Sequence, residues 1–144
     1  MIKATLRTFV DTVLDNRELT LEDTNLLRRD LLADGLACRE EADILIALDR
    51  AVPTDPAYRE FLVAAVVDYV VWTEERTGYV GADAARWLVT SLTCGAGPTE
   101  TARRVAFETI KEAQQVDEAL LGFVLAAAQR SPAGDRSSLA ALAA

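Results

Sequence analysis

The sequence contains no histidine, which removes the side chain most often used as a general base and as a transition-metal ligand. Catalytic sites of the Ser–His–Asp and Cys–His types and zinc sites with histidine ligands are therefore excluded. Only two cysteines are present, Cys38 and Cys94, and no CxxC spacing relates them. This usage is typical of a reduced cytosolic protein rather than of a secreted disulfide scaffold.

Long apolar runs are also absent. The longest run extends from Phe61 to Trp72 and is interrupted by Asp68, whereas a membrane-spanning helix needs about 20 residues. The segment from Met1 to Arg7 lacks the apolar stretch and cleavage site of a signal peptide. We therefore expect a cytoplasmic protein with no membrane span.

Basic residues are outnumbered, with 15 Lys and Arg against 23 Asp and Glu, which gives a formal net charge of −8. Such a charge repels a phosphate backbone, so no nucleic-acid partner is expected. Lysine occurs only at Lys3 and Lys111, and alanine and arginine are abundant. This composition is typical of a GC-rich bacterial genome.

The 144 residues are enough for one domain with its own core. Apolar residues recur at spacings of three and four almost everywhere, which predicts an all-α fold. Together with caps and breakers they predict seven helices, at about 2–16, 20–34, 39–52, 56–75, 82–93, 98–113 and 117–129. We expect a compact bundle over residues 1–130 and a tail at 131–144 that is mobile or forms a short helix.

Helix-terminal residues define several of these bounds. Thr20 is a good N-cap, and Asp23 stands in the capping-box position. Gly35 can adopt the left-handed conformation that ends a helix. Asp55 followed by Pro56 is typical of an N-cap and the first helical residue.

The two halves of the chain resemble each other. The order of cap, turn glycine, helix, aspartate cap and Phe-led apolar helix is the same at about 20–65 and 80–127. We therefore predict two pseudo-repeated helix–turn–helix units around a central apolar helix. The alternative is that unrelated amphipathic helices can be aligned by chance. The aligned pairs are Gly35 with Gly95, Asp55 with Asp117, and residues 61–65 with 123–127.

Asp68 is the one charged residue between Phe61 and Trp72. A helix that is apolar all round is predicted to be central and buried, and a buried carboxylate must be paired, hydrogen-bonded, protonated or bound to a cation. One interpretation is structural, with bonds from a helix N-terminus, a tryptophan N–H, or an arginine such as Arg28 or Arg86. The other is contact with a metal or ligand.

The first predicted turn has a spacing close to that of an EF-hand calcium loop. Asp30, Asp34, Gly35 and Glu41 occupy positions one, five, six and twelve of such a loop. Leu32 and Cys38 lack the expected oxygens, and the second copy lacks nearly all of them. The structural alternative is that the Asp34-Gly35 pair ends one helix and that Glu40 and Glu41 favour the start of the next through its dipole.

Residues 31–35 followed by Glu40-Glu41 are similar to the "ADG…E" signature of TerB-like, tellurite-resistance domains. The chain also resembles, over most of residues 26–125, an uncharacterised group of small bacterial proteins with "DG…REEA", "FFVEAVTDYV" and "GYV…WL" segments. The matching segments here are 34–35 with 39–42, 61–70, and 78–80 with 87–88. The resemblance implies an all-helical, internally duplicated domain that binds divalent cations through acidic residues. By this analogy Asp34, Glu41 and Asp68 are candidate ligands, with Asp30 as an EF-hand-like addition. The second copy departs from the signature, with Cys94-Gly95 in place of Asp-Gly.

No nucleophile with its base and no phosphate-binding loop is recognisable in the sequence, so we expect a non-enzymatic interaction or regulatory module with a protein partner. The first alternative is a TerB-like divalent-cation-binding domain in a stress response, and the second is an enzyme that uses Asp68 as a base. No cofactor is expected unless a divalent cation binds. An interaction module should expose an apolar patch, across the helix led by Phe123 or in the tail.

Overall fold

The computed structural model describes residues 4–74, 78–93 and 98–129. These residues form seven α-helices, two π-helical segments and two strands of two residues each. The α-helices are α1 Ala4–Asn16, α2 Leu21–Leu26, α3 Arg39–Ala51, α4 Pro56–Asp68, α5 Ala82–Thr93, α6 Glu100–Glu112 and α7 Glu118–Gln129. The predicted all-α fold is confirmed. The tail 131–144 and the turn at Cys94-Gly95 lie outside the described residues.

The predicted caps at the helix starts are present. The side chain of Thr20 accepts a hydrogen bond from Asp23 N at 3.2 Å, and the Asp23 carboxylate accepts one from Thr20 N at 3.0 Å. Asp55 caps α4 through a bond from Ala57 N at 2.8 Å, with Pro56 at the first helical position. These bonds satisfy amides that have no partner within the helix, so each fixes where its helix begins.

Two of the predicted helices change geometry before they end. Leu27–Leu31 continues α2 and Tyr69–Glu74 continues α4, each as a π-helical segment. In this geometry an amide bonds the carbonyl five residues earlier, as Leu32 N does with Leu27 O at 2.8 Å. Apolar spacing does not separate the two helix types, so the sequence predicted one continuous helix in both places.

Short parallel pairings stand in front of α4 and α7. Strand β1 Tyr79–Val80 pairs with β2 Gln115–Val116, and Asp117 N donates to Val80 O at 2.8 Å. In the first half an isolated bridge joins Leu19 to Thr54, and Asp55 N donates to Leu19 O at 2.9 Å. The same arrangement therefore precedes an aspartate-capped helix in both halves. Duplication of the whole unit stays a prediction.

Helix α4 lies at the centre of the bundle and packs against α2, α3 and α6. Its side chains Leu62 and Val66, and Val70 in the π-helical segment after it, are at most 1% exposed. Burying such a side chain contributes about 1.5–3 kcal/mol. Within the described residues, no helix is both long enough and apolar enough to cross a membrane.

The predicted burial of Asp68 is wrong, because its side chain is exposed. Glu60, Ala64, Asp68 and Trp72 follow one another at four-residue spacing and form an exposed ridge along α4 and its π-helical continuation. The sequence pattern did not reveal this ridge because alanine counts as apolar. Exposing its small side chain to water nevertheless costs little free energy, since little apolar area is involved. Asp68 forms no hydrogen bond or ion pair with any residue that the structure describes, Arg28 and Arg86 included.

Tyr58 joins α4 to α3. Its side chain is fully buried, and its hydroxyl donates to the carbonyl of Leu45 at 2.6 Å. Burial raises the pKa of Tyr58 well above its usual value, and the negative charge of Asp49 adds to the increase. The hydroxyl therefore keeps its proton in the folded chain at a pH where the unfolded chain loses it.

We predict that Tyr58→Phe lowers the free energy of unfolding by about 1 kcal/mol at neutral pH, because the bond to Leu45 is lost. The stability conferred by a protonated Tyr58 is complete below pH ~10 and decreases as the pH rises above it. The difference between the wild type and the variant should therefore shrink above pH ~10. Urea unfolding at several pH values measures both effects. Tyr79→Phe, at a residue 44% exposed, is the control and should leave stability unchanged.

Candidate functional site

The four acidic residues predicted as metal ligands do not come together. Asp30, Asp34 and Asp68 are exposed, whereas Glu41 is buried. Within residues 4–74, 78–93 and 98–129, no three Asp, Glu, Cys or His side chains form a group that could hold a metal ion. The cation-binding alternative therefore stays a prediction from resemblance.

The loop between Asp30 and Glu41 is a helix-to-helix turn. The π-helical segment ends at Leu31, and Gly35 adopts a φ of +85°, where a side chain would be strained. Cys38, at the ninth position of the calcium-loop pattern, is the N-cap residue of α3. These features agree with the structural interpretation of the Asp34-Gly35 motif.

Glu41 lies in the first turn of α3 and is only 1% exposed. Its Oε1 accepts a hydrogen bond from Ala37 N at 2.7 Å. This bond satisfies an amide just outside the helix, and the helix dipole favours a carboxylate in this turn. Its Oε2 is buried without a hydrogen-bond partner among the described residues. Glu41 therefore stabilises the predicted turn between the two helices by binding the backbone amide of Ala37.

A cluster around Arg39 has no counterpart in the sequence predictions. Arg39 Nε donates to Glu74 Oε1 at 2.8 Å, and its Nη2 bonds Glu74 and also Asp83, the latter at 2.8 Å. The guanidinium lies 5.2 Å from the ring centre of Trp87. The hydrogen bond to Glu74 is the main reason that the pKa of Arg39 is raised above its usual range. Sequence patterns give no signal for this cluster because Glu74 and Asp83 lie 35 and 44 residues away.

Trp87, on α5, makes two further contacts in this cluster, one with α3 and one with the start of the π-helical continuation of α4. Its Nε1 donates to Asp43 Oδ1 at 2.9 Å, and its ring meets Tyr69 edge-on with ring centres 6.1 Å apart. Burial raises the pKa of Tyr69 to about 12, and the charge and hydrogen bond of Glu74 add to this increase. The contacts hold α3, α5 and the end of the α4 continuation in a fixed arrangement, so we assign the cluster a structural role.

A cleft of about 480 Å³ that combines apolar and charged side chains lies between α4, with its π-helical continuation, and α6. We call it the acidic cleft. Its first wall consists of Glu60, Val63, Ala64, Val67, Asp68 and Trp72. Its second wall consists of Arg104, Glu108 and Glu112, again at four-residue spacing.

Two contacts close the ends of the acidic cleft. At one end Arg104 binds Glu60 through two hydrogen bonds of 2.9 and 3.1 Å. At the other end Trp72 Nε1 donates to Glu112 Oε1 at 3.0 Å. Both contacts join α6 to the first half of the chain, across 44 and 40 residues. The cleft therefore exists only when the two halves are packed together.

The charges of the acidic cleft are unbalanced. Four carboxylates line it against one guanidinium, Arg104, which Glu60 already engages. The hydrogen bonds from Arg104 lower the pKa of Glu60. Glu108 has a lysine, Lys111, at 3.6 Å on its own helix, and Asp68 has no ionic partner among the described residues. The middle of the cleft thus carries negative charge.

Helix α7, where an exposed apolar patch is predicted, does expose apolar side chains, although Phe123 itself is not among them. Phe123 is only half-buried and packs against the core, whereas Leu121 and Leu125 on the same helix are 40% and 64% exposed. In the acidic cleft Trp72 is 39% exposed. The sequence contained a signal for the cleft, since residues 60, 64, 68 and 72 and residues 104, 108 and 112 each define one helix face.

We predict that Glu41→Ala lowers the free energy of unfolding by about 2 kcal/mol, since the bond to Ala37 N is lost. Glu41→Gln keeps an acceptor for that amide and should cost less than about 1 kcal/mol. Glu100→Ala removes an exposed carboxylate from the first turn of α6 and serves as the control. Thermal or urea unfolding measures all three, and equal stability of Glu41→Ala and the wild type would contradict the assigned role.

Comparison with known proteins adds no family, because no family model, curated protein or solved structure matches this chain. The similarity to TerB-like domains stays a prediction from short motifs.

Proposed function

We propose that the chain is a non-enzymatic interaction module and that it holds a protein partner in the acidic cleft. The observation that carries this proposal is an apolar floor at an open surface. Ala64 is exposed there, beside Val63 and Val67 and the large ring of Trp72. Protein interfaces combine such an apolar centre with a polar rim.

Trp72 has the properties of an interface anchor. Tryptophan is enriched among the residues that dominate binding energy, because it buries a large area with few rotatable bonds. The bond from its Nε1 to Glu112 fixes the orientation of the ring before any partner arrives. A side chain that is already ordered loses less conformational entropy on binding, which favours affinity.

The residues of the acidic cleft support binding better than catalysis. They include no serine, threonine, cysteine or lysine that could act as a nucleophile. Asp68, the candidate base, is exposed, and no described residue orients its carboxylate through a hydrogen bond. A surface of this kind is suited to binding a partner molecule, and the proposed partner is another polypeptide.

We predict that Ala64→Arg abolishes partner binding, because the long side chain fills the middle of the acidic cleft and leaves the core unchanged. Ala47→Arg is the matched control, since Ala47 is an exposed alanine inside α3. Both variants should melt within about 3 °C of the wild type, as expected for surface substitutions.

The experiment is affinity capture from a lysate of the native host with three baits: the wild type, Ala64→Arg and Ala47→Arg. We expect at least one protein that is retained by the wild type and by Ala47→Arg and is lost with Ala64→Arg. That protein, once purified, should bind with the same pattern in a titration. Identical captured sets from all three folded baits would refute the proposed function.

A further inference from the structure

We infer that the partner segment of the acidic cleft is a cationic amphipathic helix, with an aliphatic side chain on the apolar floor and basic side chains against the carboxylates. This inference rests on the proposed function and adds the chemistry of the partner. Three properties of the cleft carry it: its charge, its apolar floor and its length.

Charge complementarity selects a basic partner. Asp68 and Glu108 face the middle of the cleft from opposite walls, and Glu112 stands at the end beside Trp72. Because Arg104 is held by Glu60 and Lys111 lies 3.6 Å from Glu108, Asp68 and Glu112 are the carboxylates of the cleft with no cation paired to them among the described residues. The net charge of −8 on the whole chain attracts the same kind of partner from a distance.

The apolar floor distinguishes a polypeptide from a small cation. Val63 and Val67 are 6% and 9% exposed, so they form the base of the cleft, and the small Ala64 leaves room above them. An aliphatic side chain placed there removes apolar surface from water and contacts the ring of Trp72. An apolar floor offers no ligands to a metal ion, and no three His, Cys, Asp or Glu side chains among the described residues form a group that could hold one.

The distance between the end contacts sets the length of the segment. Arg104 and Glu112 lie eight residues apart on α6, which corresponds to about 12 Å, or two turns of helix. Two turns place an aliphatic residue in the middle and a basic residue one turn to each side on the same face. Helices that bind in grooves present side chains in this way.

The test uses synthetic helical peptides of about 18 residues, or five turns. The probe has leucine at helical spacing and lysine elsewhere. One comparison peptide has glutamate in place of lysine, and a second has the probe composition in an order without an apolar face. Fluorescence anisotropy of the labelled peptides gives the Kd for the folded wild type and its variants.

We expect the lysine probe alone to bind, and to bind about tenfold more weakly when the salt concentration rises from ~0.05 to ~0.3 M. Asp68→Asn with Glu108→Gln should weaken binding about tenfold, and Ala64→Arg should abolish it. Asp30→Asn with Asp34→Asn removes the same amount of charge from exposed residues outside the cleft and should change the Kd less than about twofold.

The outcomes separate this inference from the proposed function. Three results would overturn the cationic helix as occupant. The two double variants could weaken binding equally, the lysine probe could fail to bind, or the comparison peptide without an apolar face could bind as well as the probe. The proposed function would still stand if Ala64→Arg lost a captured protein that Ala47→Arg retained, and that protein would then define another partner chemistry. If the capture experiment finds no protein that is lost with Ala64→Arg and retained by Ala47→Arg, both the proposed function and this inference lose their basis.

Discussion

The structure depends on one helix that must be buried and exposed at once. Helix α4 supplies the centre of the core through Leu62 and Val66, while every fourth residue from Glu60 faces water. A helix has 3.6 residues per turn, so a stripe of one residue in four drifts only slowly around its axis and remains on one side. The apolar residues of α4 are needed for the bundle to fold. The exposed stripe is not needed for the core, so it is available for contact with other molecules.

Local features of the fold could be predicted from the sequence because their causes lie within a few residues. Thr20 with Asp23, and Asp55 with Pro56, define helix starts through bonds between neighbours. The bounds of α3 and α5 follow from apolar spacing and from breakers such as Pro53. The π-helical segments were missed, because the choice between two helical hydrogen-bond patterns is made by packing and not by composition.

The site was less accessible to prediction than the fold. The pattern from Phe61 to Trp72 predicts a buried Asp68 only when alanine and valine count equally as apolar, although the burial of alanine removes much less apolar area from water. Arg39 and Glu74 meet across 35 residues, and Arg104 and Glu60 across 44. No periodicity in a single sequence encodes such pairs. The sequence pattern predicts which residues share a face of α4 and of α6, but it does not predict that these two faces are adjacent.

The composition of the acidic cleft has a consequence for how such a surface arises. One wall lies within residues 60–72 and the other within residues 104–112, and both end contacts cross between these two segments. Neither segment forms this surface alone, because Asp68 and Trp72 stand on one segment and Glu108 and Glu112 on the other. Because both segments belong to one polypeptide, the surface arises whenever the chain folds and does not depend on protein concentration.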